Sequence, residues 1–142
     1  MAEPTWARYG SLGLSAAGLA ISVYLTVDHY TSRPVLACPA TAFVDCEKVT
    51  NSPQSMLLGI PVAVYGLVFF AGMVALTLPM AWRDRRLRTV RLGASLVGVA
   101  AVVYLVGVEL FAVDRICLWC TAVHVISVAL FAMFAFAAAL ES

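Results

Sequence analysis

Four long apolar runs divide the chain. The first, Tyr9 to Val27, and the second, Leu57 to Ala81, hold no charged residue. The third, Leu92 to Val113, is broken only by Glu109. The fourth, Ile116 to Leu140, has His124 as its one ionisable group besides cysteine. Each run is close to the ~20 residues that an α-helix needs to cross ~30 Å of hydrocarbon. Strands would have to close into a barrel to hide their edges in lipid, and these runs do not alternate polar with apolar. The predicted fold is therefore all-α, an integral membrane bundle of four transmembrane helices at about 9–27, 57–81, 92–113 and 116–140. A long loop at 28–56, an arginine-rich loop at 82–91 and a short third loop connect them, and a single domain takes up residues 1–142.

Small residues recur in the first three spans: Gly13, Ala16, Ala17 and Gly18, then Gly59, Ala63 and Gly66, then Ala94, Gly98 and Ala101. Lipid removes the hydrophobic drive between helices, so close backbone approach at such residues is what holds them together. These positions read as bundle seams. Pro61 is expected to kink the second helix near one end.

Composition agrees with a lipid-facing surface. Hydrophobic residues make up 63% of the 142 and charged residues only 12%, against about 45–50% and 25% in soluble domains. The net charge of +1 offers no field for nucleic acid. Orientation follows from the arginines: the 82–91 loop holds Arg83, Arg85, Arg86, Arg88 and Arg91. The positive-inside rule places that loop in the cytoplasm, with both termini. The 28–56 loop and the third loop then lie outside, and all four cysteines sit in or beside them. The segment before the first run has no net positive charge, so that run reads as a retained helix rather than a cleaved signal.

Cys117-Leu118-Trp119-Cys120 opens the fourth helix. Thiols three residues apart share a helical face, and the orphan amides and dipole of a helix N-terminus favour a thiolate. Asp114 is placed to cap this end. Alone, the motif reads equally as a nucleophile with its resolving partner or as a structural pair, with a zinc site using His29 or His124 the weaker reading. Cys38 and Cys46, in an outer loop of unusual length, shift the balance toward a relay. Two pairs at one membrane face can pass electrons from a soluble partner to a lipid-soluble acceptor. His124, one turn beyond Cys120, can bind a ligand or move a proton. Glu109 reads either as a functional intramembrane acid or, preferably, as a side chain reaching the interface. Ser52 and Asn51 read as helix caps or as ligand hydrogen-bond partners.

Tyr24-Leu25-Thr26, Cys38-Pro39, Asp45-Cys46-Glu47-Lys48-Val49, Ser52, Gly59-Ile60-Pro61 and Cys117-Leu118-Trp119-Cys120-Thr121-Ala122-Val123-His124 occur in this order. Together they resemble a bacterial vitamin K epoxide reductase homologue, over most of the chain and without the fused thioredoxin-like domain that many relatives carry. The resemblance implies a four-helix bundle around a quinone, menaquinone or ubiquinone, in the bacterial inner membrane. It implies an oxidase that restores a separate thioredoxin-like, DsbA-type partner on the extracytoplasmic side, in support of disulfide formation. Cys38 and Cys46 then match the shuttle pair, with Cys46 relaying to Cys117. Cys117 and Cys120 match the active-site pair, with Cys120 beside the quinone. Ser52 and His124 match quinone-contacting positions, and no metal is implied. Quinone-linked oxidases of the DsbB type carry their two cysteine pairs in the reverse order. Two alternatives remain at this point: the reductive direction, toward vitamin K epoxide or quinone, and a non-catalytic scaffold stapled by two disulfides.

Overall fold

The computed structural model describes residues 4–30, 56–113 and 118–141. Helix α1 runs Thr5–Tyr30, and a two-residue antiparallel hairpin, β1 (Met56–Leu57) and β2 (Ile60–Pro61), precedes α2 (Val62–Thr77). A single 3₁₀ turn, Ala81–Arg83, leads into α3 (Arg85–Gly107), which widens into a π-turn at Val108–Val113. Helix α4 spans Leu118–Glu141. Among the described residues, three stretches are long and apolar enough to cross a membrane, Thr5–Val27, Arg85–Phe111 and Leu118–Leu140, and α2 is a shorter apolar helix. The chain is thus an all-α membrane bundle.

The second apolar run is not helical throughout, and two prolines explain why. Leu57 pairs with Ile60 and Met56 with Pro61 in the hairpin, so the predicted helix over 57–81 is shortened at its start. Pro61 ends the hairpin and stands at the N-cap of α2 instead of kinking it; its missing N–H costs nothing where a helix begins. The intervening Leu58 and Gly59 have φ of 55° and 80°, as a type I′ turn requires. At the other end, Pro79 forbids the helical conformation to Leu78, whose ψ is 144°. Sixteen residues remain, about 24 Å at 1.5 Å each.

The predicted 82–91 loop is also mostly helix. Asp84 caps α3, its Oδ1 accepting from the Arg86 amide at 2.9 Å, so the connection is only a tight turn. Arg83, Arg85, Arg86 and Arg88 are exposed. Arg91 is not a loop charge: it is 1% exposed. Its Nη1 donates to the carbonyls of Leu76 at 3.2 Å and Ala81 at 3.3 Å. Its guanidinium lies 3.9 Å from the centre of the Trp82 ring, and Trp82 Nε1 donates to the Thr77 carbonyl at 3.2 Å. A helix leaves its last four carbonyls without intrahelical partners. Arg91 and Trp82 supply partners for two of them in α2.

Helix α1 packs along α2 and against α4, and α3 packs along α4, while α2 and α3 meet over a shorter stretch. The adjacent Phe69 and Phe70 of α2, ring centres 5.1 Å apart and nearly perpendicular, face different neighbours. A Cβ at Gly18 of α1 would overlap the Phe70 ring, and one at Gly98 of α3 would come within 2.7 Å of Phe69. Both glycines fall among the seam positions read from the sequence. The core cluster, Ala7, Phe70, Met73, Trp82, Ile126, Leu130, Phe134 and Ala137, fills the end of the bundle that carries the 78–84 turn. The other half is hollow.

Candidate functional site

That hollow is a cavity of about 290 Å³ bounded by all four helices, close to the lower end of the ~300–1,000 Å³ typical of small-molecule sites. Helix α1 contributes Ser22 and Leu25; the start of α2 contributes Pro61 through Phe70 positions on one face, including Tyr65 and Gly66. Helix α3 and its π-turn supply Val97, Gly98, Ala101, Val102, Leu105, Val108 and Glu109. From α4 come Cys120, Val123, His124 and Ser127. The spacing of 3 and 4 in each group is that of one helical face. The wall is mainly apolar, with a few polar groups converging on it.

Cys120 sits in the first turn of α4, half-buried, and His124 follows one turn on at 7% exposure. Their i, i+4 relation brings both to the same wall. Ser127 extends this row, but its hydroxyl hydrogen is committed to the Val123 carbonyl at 3.0 Å. Ser22 is buried beside the Gly66 backbone. At the cysteine end, Trp119 and Tyr24 stack with ring centres 5.2 Å apart and planes inclined by 52°. This aromatic pair ties the start of α4 to the end of α1. Cys120 and His124, expected to share a site, are therefore brought together on one cavity. Cys38, Cys46, Ser52 and Cys117 lie outside the described residues, as does Asp114.

The family model for vitamin K epoxide reductases matches residues 11–135. The chain belongs to the vitamin K epoxide reductase family. The match runs from α1 to near the end of α4 and so includes every lining residue of the cavity. Comparison with curated proteins finds no match. Membership makes the chain a multi-pass membrane oxidoreductase of a family generally linked to quinones.

The cavity's donor set fits a quinone. A flat apolar ring with two carbonyl oxygens needs apolar walls and a small number of hydrogen-bond donors. Ser22, Tyr65 and His124 are groups of the lining able to donate, and Phe69, Phe70 and the aliphatic residues of α3 provide the apolar contact. Among the described residues, no group of three or more His, Cys, Asp or Glu side chains is placed to hold a metal ion.

Glu109 corrects the sequence reading. It does not reach the interface: it is 5% exposed and lines the cavity. The signal was present in the sequence. Glu109 is eleven residues from Gly98, about three helical turns, and so falls on the same face as that seam glycine. Ser22, Tyr65 and the Phe69–Phe70 pair, unlike Glu109, do not stand out in the sequence, because nothing in a largely apolar run distinguishes the side facing a cavity from the side facing lipid.

Proposed function

We propose that the protein is a quinone-dependent thiol–disulfide oxidase of the bacterial inner membrane. It restores the disulfide of a separate thioredoxin-like, DsbA-type protein on the extracytoplasmic side and passes the electrons to menaquinone or ubiquinone. The observation that carries this reading is that Cys120, from the only CxxC in the chain, lines an apolar cavity together with His124. A CxxC thiol at the wall of a lipid-soluble ligand's pocket has a direct use in electron transfer and none in stapling two loops.

In this scheme a thiolate of the partner attacks the Cys38–Cys46 disulfide, and exchange through mixed disulfides moves the reducing equivalents to Cys117–Cys120, with Cys46 and Cys117 as the relaying pair. Each exchange breaks one S–S bond and forms another. Cys120, at the cavity, is the last thiol of the relay. The quinone supplies a two-electron acceptor. Ser22, Tyr65 and His124 orient it by hydrogen bonding and stabilise charge at its oxygens, with Ser52 a further contact by family resemblance. Helix α2 forms the fourth span, its short length extended by the hairpin and by the arginine-lined turn at the cytoplasmic surface.

The scheme is tested with purified protein, a reduced thioredoxin-like donor and a quinone. Wild type is expected to reduce the quinone, and Cys120→Ala and Cys46→Ala to abolish turnover while staying folded. Normal turnover in Cys120→Ala overturns the scheme. Cysteines that stay oxidised in the presence of donor and quinone, with no turnover in wild type, favour the stapled scaffold.

A further inference from the structure

An acid buried among apolar helices is costly, and in a membrane it marks function unless it reaches the interface. Glu109 does not reach it. It is enclosed at the cavity wall, at the second residue of the π-turn Val108–Val113, and π-turns inside α-helices occur often at functional sites. The same cavity holds a second buried ionisable group, His124, from a different helix.

The chemistry under the proposed function creates a need for such groups. Oxidation of a dithiol to a disulfide releases two electrons and two protons, and reduction of a quinone to its hydroquinone consumes two of each. The electrons leave from sulfur. The protons have to reach oxygen atoms inside a pocket whose wall is mainly apolar, and hydrocarbon offers them no path. Among the described residues, the other ionisable side chains that line the cavity with Glu109 are Cys120 and His124 from α4 and Tyr65 from α2, while α1 contributes Ser22 and Leu25. General acid–base transfer falls most often to imidazole and carboxyl groups and less often to a phenol. Glu109 and His124 are left as the groups matched to the task.

We propose that Glu109, paired across the cavity with His124, is the carrier that moves protons released by the cysteine pair onto the ligand reduced in this cavity. The inference rests on the quinone reading and adds to it a residue and a role.

Its test compares wild type, Glu109→Gln and Glu109→Asp in detergent or nanodiscs, with menaquinone as acceptor and a reduced thioredoxin-like donor. Glutamine keeps shape and polarity but cannot exchange a proton. Glu109→Gln is expected to lower kcat by at least about tenfold, in line with the loss of a general acid, while menaquinone affinity stays within about threefold of wild type. One limb of the wild-type pH–rate profile is expected to vanish in Gln and to persist in Asp. A second readout does not depend on turnover: the infrared difference between oxidised and reduced wild type should contain a carboxyl carbonyl band, absent in Glu109→Gln and displaced in Glu109→Asp. A Gln variant with wild-type kcat and pH profile overturns the assignment of Glu109 alone. So does an infrared difference that is the same in wild type and Asp, the comparison that decides if the Gln variant does not fold. A wild type that reduces no quinone overturns the proposed function, and this inference with it.

Discussion

Replacing Arg91 with alanine should destabilise the protein far more than replacing any of its arginine neighbours. The side chain is 1% exposed and its Nη1 donates to the carbonyls of Leu76 and Ala81. A hydrogen bond from a charged donor contributes about 1.5–3 kcal/mol net. The guanidinium also rests 3.9 Å above the centre of the Trp82 ring, a desolvated cation–π contact worth up to about 2 kcal/mol. These contributions share one side chain and do not simply add. An overall loss of about 3–5 kcal/mol is expected, because the carbonyl of Leu76 loses a partner near the end of α2 and Trp82 loses its stacking surface. Arg91→Lys keeps the charge but not the planar fork, and should recover less than half. Arg85→Ala, at an exposed position, should stay within about 0.5 kcal/mol of wild type. Unfolding of the three variants in detergent, followed by tryptophan fluorescence and thermal aggregation, gives the ranking. An Arg91→Ala protein as stable as Arg85→Ala would refute the capping role of this side chain.

Two further outcomes follow from the fold. Ala63→Phe, in the first turn of α2 and on the cavity wall, should lower quinone affinity at least tenfold with little change in thermal stability, as titration of a fluorescent or absorbing quinone would show. Leu58→Gly should raise stability by about 1 kcal/mol. Leu58 holds a φ of 55° and is 90% exposed, so glycine removes left-handed strain of about 1–2 kcal/mol, partly offset by its entropy in the unfolded chain, and loses almost no buried surface. A lower melting temperature in Leu58→Gly would count against the turn.

The helical bundle was legible in the sequence because lipid imposes a simple rule: a run of about twenty apolar residues satisfies its own backbone only as a helix. Element ends were less legible. The second run reads as continuous by hydropathy, yet Pro61 and Pro79 set the limits of α2 through backbone constraints that hydropathy does not weigh. The site was half legible. Cys120 and His124 stand out as the rare reactive groups of an apolar stretch, and their spacing alone puts them on one face. Glu109 stood out too, but an acid about one turn from a helix end fits two environments. Its choice between interface and cavity depends on where α1, α2 and α4 pack. Arg91 shows the same limit from the other side. By sequence it is one of five loop arginines, and only the position of the α2 terminus turns it into a buried cap.

The central claim is that Cys120 faces the quinone cavity. It is tested most directly by labelling Cys120 in a protein whose other cysteines are replaced by serine, using a small lipid-soluble maleimide with and without excess menaquinone. If the claim holds, Cys120 is modified in the absence of quinone and protected at least tenfold by it, while Ala63→Phe abolishes the protection. Labelling that proceeds at the same rate with or without quinone would contradict it.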